Sequence, residues 1–155
     1  METKITVREA TNADNDFIFE LSPALAQVAK LSWHSDEDVQ AMQDNYITEM
    51  LKQTDEPTIT LLAELEGKPL GFVHARTHQD GISGEIAGTV PLLAVSAEAQ
   101  GLGIGKLLMI EAEQWAKSMG CRLLHLEVFA NNDNAKGFYH NLGFQPEMLH
   151  MIKPI

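Results

Sequence analysis

Gln100-Gly101-Leu102-Gly103-Ile104-Gly105-Lys106 decides the fold through what stands on either side of it. Upstream, Ile86 to Ser96 reads as an apolar strand. Downstream, Leu107, Leu108, Glu111, Ala112 and Trp115 recur at helical spacing, in a helix running from Gly103 to a left-handed stop at Gly120. Glycines at alternate positions let the backbone turn tightly and expose several N–H groups, which with the helix N-terminus form a nest for an anion. A phosphate or pyrophosphate is the expected guest. Two familiar phosphate loops fail on residue identity. Gln100 stands where a nucleoside-triphosphate loop needs its first glycine, and Leu107 where it needs a magnesium-binding Ser or Thr. Lys106 stands where the pattern Gly-x-Gly-x-x-Gly needs its last glycine.

Reading outward, Pro91 lies inside the strand before the loop, and without an N–H it forces an edge or a bulge there. Pairing should fail locally around it. Leu123 to Ala130 reads as another apolar strand, Asn132 to Leu142 as a short helix ended by Gly143, and Phe144 to Ile152 as a weaker closing strand. Toward the start, Lys4 to Glu9 alternates like a half-buried strand, and Thr11, Asn12 and Asp14 offer caps to a first helix that ends near Pro23. Ser35 and Asp38 open a second helix, whose Val39, Met42, Tyr46, Ile47, Met50 and Leu51 make one apolar stripe. Thr58 to Glu66 and Leu70 to His78 form a hairpin about Gly67-Lys68-Pro69. The order βααβββαβαβ describes an α/β or α+β fold, antiparallel in front and parallel where a helix links two strands. No repeat, linker or low-complexity tract interrupts residues 1–155, so one domain is expected.

The 155 residues are 45% hydrophobic and 21% charged, ordinary values for a globular domain. No window approaches the roughly 18 apolar residues that a membrane helix needs. Eleven Lys and Arg against 22 Asp and Glu leave a net charge of −11, which argues against nucleic-acid binding. Residues 1–98 hold 17 acids against 6 bases, whereas residues 99–155 hold 5 of each. An acidic first half serves solubility or attracts a cationic ligand. Cys121 is the lone cysteine and METKITVREA lacks the apolar stretch of a secretory signal, so a cytoplasmic location is expected. The six histidines do not suggest a metal site, because His74 and His78 lie four apart in a strand and not on a helix.

A second cluster comprises Leu126-Glu127-Val128, Asn132, Ala135, Phe138-Tyr139 and Leu142-Gly143-Phe144. Val95…Gln100-x-x-Gly103-x-Gly105 followed by Asn132-x-x-Ala135-x-x-x-Tyr139-x-x-x-Gly143-Phe144 resembles the GNAT superfamily of acetyl-CoA-dependent N-acetyltransferases. The resemblance covers roughly residues 86–145. It implies a mixed, mostly antiparallel central sheet flanked by about four helices, with strands splayed at the cofactor site. It further implies that Leu93, Ala94 and Val95 bond the pantetheine arm of acetyl-CoA through their backbone. Gln100, Gly101, Leu102, Gly103, Ile104, Gly105 and Lys106 would hold the pyrophosphate, and Asn132 would bond the pantetheine or cap a helix.

Tyr139 matches a tyrosine beside the cofactor sulfur, where a phenol of pKa about 10 can protonate a leaving thiolate; the alternative is core packing with Phe138. Glu127, twelve residues earlier, resembles a glutamate assigned as base in ribosomal-protein N-terminal acetyltransferases; the alternative is a solvated strand glutamate. Thr89 replaces a carboxylate frequent in another branch, leaving Glu85 or an ordered water as other bases. The expected activity is acetyl transfer to a primary amine, of cationic character, by direct attack. An acyl-CoA sensor or protein-docking module on the same fold is the competing reading. The acceptor's identity and the oligomeric state, a homodimer included, stay open.

Overall fold

Residues 4–28, 30–52 and 55–155 are described in the computed structural model; the first three residues of METKITVREA lie outside them. β1 (Thr6–Glu9), β2 (Thr58–Leu65), β3 (Lys68–Gln79) and β4 (Ile86–Val95) run antiparallel in sequence order, and β5 (Leu124–Leu126) joins β4 in parallel. The β2–β3 turn is Glu66-Gly67, one residue earlier than Gly67-Lys68-Pro69, because Leu65 pairs with Lys68. Both turn residues have positive φ, the twist that matches hairpin strands.

α4 (Ile104–Ser118) covers one face of the sheet and α1 (Asn15–Glu20), α2 (Ser22–Gln27) and α3 (Asp36–Met50) cover the other. The first expected helix is thus two, and Pro23 does not end it. Proline sits in the first turn of α2, where its missing N–H has no intrahelical acceptor to lose. Ser35 caps α3 by accepting from the Asp38 N–H at 3.1 Å. Ile104, Leu108, Met109 and Ala112 of α4 pack on Leu61, Ala63, Val73, Ala75 and Val90. On the opposite face Ile18, Leu21 and Ile47 pack on Phe72, Leu92 and Ala94. α5 (Asp133–Asn141) lies beside α4, with Phe138, Tyr139 and Leu142 against the first cluster.

Two sequence expectations change here. The strand expected over Leu123–Ala130 is confined to Leu124–Leu126, since the chain leaves the ladder once β4 bends away. Phe144 to Ile152 is not a strand: it has no pairing partner among the described residues, and beyond Phe144, which packs on the first cluster, Met148, Leu149, Met151 and Ile152 are exposed. No helix among the described residues is long and apolar enough to cross a membrane.

Asp14 ties the first turn of the chain to the sheet. Arg8 donates to its two oxygens at 2.8 and 2.9 Å, the Thr11 N–H donates at 2.8 Å, and Arg8 also reaches Glu64 at 3.1 Å. The Arg8 hydrogen bonds, against the opposing effect of burial, hold the Asp14 carboxyl at about 2 instead of the ordinary 3.8. Its contribution to stability is therefore complete above pH 3.8 and disappears as pH falls through about 2. Asp14→Asn is expected to cost about 2 kcal/mol at pH 7, and the deficit to shrink as pH falls below the unfolded carboxylate range. Urea unfolding at neutral and acidic pH checks this; an equal deficit at both would place the effect in packing, not charge.

Candidate active site

A bulge in β4 creates the site. Thr89 pairs with Arg76 and Leu92 with His74, so β4 spends three steps where β3 spends two. The extra residue falls at Val90-Pro91, where the missing N–H costs no ladder bond. Val90 and Leu93 consequently pack into the same core face, which regular alternation would forbid. The bend also ends the parallel pairing of β4 with β5, which spans only Gly88–Val90 against Leu124–Leu126. Beyond Val90 the two strands have a gap between them.

The edge facing that gap follows from one hydrogen bond. Ser96 donates its N–H to the Leu70 carbonyl on β3 at 2.8 Å, so by alternation the polar groups of Leu93 and Val95 turn away from β3. Val95 C=O confirms the direction by accepting from Gln100 Nε2 at 3.2 Å. Ala94 takes the β3 side and buries its side chain in the second core. Of the three strand positions expected to serve a ligand, Leu93 and Val95 thus present main-chain groups to the gap and Ala94 presents none by this alternation.

The glycine stretch leads from this edge into α4. A single 3-10 turn, Ala97–Ala99, precedes Gln100; Gly101 and Gly103 adopt φ of +82° and +76°, and Gly103 caps α4. A β-carbon at either glycine would meet nothing within 4 Å, so open space lies over the turn. Side chains do not supply the loop's chemistry: Leu102 is exposed and Ile104 is buried in the core. Gln100 uses its amide on Val95. Gly105 has another reason to be glycine. A β-carbon there would lie 3.2 Å from Phe138 Cζ, so its absence lets α5 seat against the first turn of α4.

α5 brings the second cluster to the gap. Asn132 caps it, its side chain accepting from the Ala135 N–H at 3.2 Å. Tyr139 is held edge-on between Phe138 and Phe144, with ring centroids 5.1 and 5.7 Å away. Burial raises its phenol from 10.0 to about 12, and its hydroxyl has no hydrogen-bond partner among the described residues. A phenol so placed stays protonated at neutral pH and keeps its proton available to a ligand atom. Glu127 follows the last residue of β5, not within the strand as expected, and is exposed with no ion pair among the described residues. Glu85 is engaged: Arg122 binds it at 2.5 Å and holds its carboxyl below the ordinary range.

Histidines set aside in the sequence also line the sheet. His74 is buried and shares a 2.8 Å hydrogen bond with Thr60; burial, reinforced by Arg76, lowers it to about 4. His78 Nε2 lies 2.8 Å from His125 Nδ1, and burial, then His125 and Arg76, lower its pKa. Alternation of 74, 76 and 78 on β3 puts these groups on one face, and only the β4–β5 pairing brings His125 to them. No group of three His, Cys, Asp or Glu that could hold a metal ion occurs among the described residues.

The far wall is made by the loop after β5. Phe129 packs with Ala26, Val39 and Met42, and Asn131 donates to the Lys30 carbonyl at 3.0 Å. This ties the loop to the α2–α3 connection, which carries exposed Trp33 and His34.

The chain belongs to the Acetyltransferase (GNAT) family, which matches residues 23–144. It is 30% identical over 113 residues to a mycothiol acetyltransferase of Actinosynnema mirum, covering 73% of this chain and 36% of that protein. It therefore spans little more than a third of that relative. An aminoglycoside N(6')-acetyltransferase type 1 of Stenotrophomonas maltophilia is 26% identical over 143 residues, covering 90% of this chain and 86% of that one. A putative acetyl transferase from Pyrococcus furiosus superposes with a TM-score of 0.80 at 25% identity, over 98% of this chain and 100% of the other.

Proposed function

We propose that the chain is an N-acetyltransferase that moves an acetyl group from acetyl-CoA to a primary amine by direct attack. The observation carrying this reading is the continuity of an unladdered strand edge, at Leu93 and Val95, with a left-handed glycine turn at Gly101 and Gly103. An open edge suits an amide-bearing pantetheine, and the turn with its helix N-terminus suits a diphosphate. Acetyl-CoA, when bound, supplies an acyl thioester. Leu93 and Val95 align its arm, residues 100–106 hold its pyrophosphate through main-chain N–H groups, and Asn132 offers its amide NH2 while capping α5; Ala94, whose polar groups face β3, takes no part. The amine nitrogen bonds to the acyl carbon as the carbon–sulfur bond breaks. Tyr139 gives its proton to the departing sulfur, and Glu127 takes the proton that the amine loses. Arg122 occupies Glu85, which favours Glu127 as base.

The acceptor is a cationic amine. Acids crowd the α3 side of the molecule, and one open groove there is lined by Asp36, Glu37, Gln40 and Asp44 beside Lys30. Part of that charge has a local use. Asp36, Glu37 and Asp38 occupy the first turn of α3, where the helix dipole favours anions, and Asp44 accepts from Ser22 at 2.6 Å. The surplus still sets a negative field beside the loop that Asn131 anchors. For a polycationic amine the Michaelis constant is expected to rise about three- to tenfold between low and roughly 300 mM salt. A salt-independent value would remove the electrostatic part of the assignment and leave acetyl transfer standing.

The deciding experiment is thiol release from acetyl-CoA over an amine panel, run beside thermal shift with CoA. Stabilisation with release supports the enzyme. Stabilisation without release on any amine favours an acyl-CoA sensor, and no shift removes both readings.

A further inference from the structure

Of the three arginines, one has no carboxylate to hold it. Arg8 and Arg122 are paired with Asp14 and Glu85, whereas Arg76 is exposed and makes neither an ion pair nor a side-chain hydrogen bond among the described residues. In a chain with 22 acids against 11 bases, that leaves a guanidinium free for a ligand. Its position gives the freedom a use. Register sets Arg76 of β3 beside Thr89 of β4, and Thr89 beside His125 of β5, in one row across three strands. Ala75, Val90, Leu124 and Leu126 pack on the α4 side, so alternation turns the three side chains of the row to the opposite face. His78 shares that face and is bonded to His125. Helices cover only part of it. Phe72, Leu92 and Ala94 lie against Ile18, Leu21 and Ile47, and His74 is buried, but the cover ends before Arg76. What remains is an open polar floor two strand spacings, about 10 Å, wide. It lies one residue from the last β4–β5 pair, Val90 with Leu126, where the gap begins.

We propose that the amine acceptor carries its own carboxylate and that Arg76 grips this carboxylate on the floor beside Thr89 and the His78–His125 pair. The proposal rests on the N-acetyltransferase reading and narrows its acceptor to an aminocarboxylate. A guanidinium fork matches a carboxylate through two parallel N–H···O bonds and stays charged at every working pH. Neutral donors stand beside it. The Thr89 hydroxyl makes no hydrogen bond among the described residues. Whichever ring donates in the 2.8 Å bond, a neutral His78–His125 pair keeps one N–H on its two outer nitrogens. Asp80 and Glu56 are the acids that act on His78, and neither forms an ion pair with Arg76; Asp80 instead accepts from the Ser83 N–H and hydroxyl at 3.0 and 2.6 Å. Because Arg76 is one strand from β4, a molecule as short as an amino acid spans from this floor to the gap. Its ammonium end still meets the acidic half of the chain, so the two charges of the acceptor are read at two places.

The test compares thiol release from acetyl-CoA on matched pairs, each an amino acid and its carboxamide: L-lysine, L-phenylalanine, L-methionine and β-alanine. In at least one pair kcat/KM is expected to be at least about tenfold higher for the acid. The amide has the more acidic ammonium and so the larger share of free amine, so ionisation alone would favour the amide. Arg76→Gln should bring the acid-to-amide ratio to within about twofold of one, and Arg76→Glu should invert it. Arg76→Lys, which keeps the charge without the fork, should give an intermediate ratio. A merely structural role for Arg76 would lower acid and amide alike and leave the ratio unchanged; that result overturns the proposal, as does a native enzyme that uses the amide as well as the acid in every pair. Failure of acetyl transfer itself looks different, since no pair then releases thiol. In that event calorimetry of the CoA-saturated protein with the N-acetyl amino acids and N-acetyl amino amides of the same pairs decides: a preference for the acid that Arg76→Gln abolishes upholds the carboxylate site, and no preference refutes it.

Discussion

Tyr139→Phe is expected to lower kcat by about ten- to a thousandfold and to leave acetyl-CoA affinity within about twofold. The substitution removes only the hydroxyl. The ring keeps its contacts with Phe138 and Phe144, so the seat of α5 on α4 survives. That hydroxyl makes no hydrogen bond within the described chain, so its loss leaves no orphaned partner to confuse the kinetics. Burial also sets the pH behaviour. A phenol raised to about 12 remains protonated well past the range in which an ordinary tyrosine ionises, so its titration should not limit the native enzyme below about pH 11. Single-turnover acetyl transfer, compared with CoA binding by calorimetry, separates the chemical step from affinity. Unchanged turnover would assign Tyr139 to packing alone.

Gly103→Asp should weaken CoA binding by at least about a hundredfold, and Gly103→Ala by about tenfold. Alanine has only the cost of holding an L residue at φ +76°, since its β-carbon would enter open space. Aspartate carries the same backbone cost and adds a carboxylate at the helix N-terminus where a diphosphate would sit. The ratio between the two variants therefore reads the electrostatic use of the turn apart from its conformation. Equal affinities for the two would mean that the diphosphate lies elsewhere, whatever the loop's shape.

The alternation from Lys4 onward, the glycine turn and the Ser35 cap were legible because each is a local property, read over a few residues. Pro91 likewise announced the bulge, through the N–H it lacks. What the sequence did not reveal depends on partners distant in the chain. Glu127 reads as a strand residue by its apolar neighbours, yet β5 ends before it, because the β4 bend withdraws the strand it would have paired with. Gly105 looked like one more loop glycine, and its contact with Phe138 appears only when α5 returns to α4. His78 and His125 are 47 positions apart and meet at 2.8 Å only through sheet pairing.

By itself, then, the order of residues determined the alternating front sheet, the helix starts and the left-handed turn, since backbone preference and capping act within a turn or two. The tertiary structure decided which strand edge stays open, how far Tyr139 is shielded from water and which carboxylate is left unpaired. Those depend on which distant groups share one volume, and no local preference encodes that.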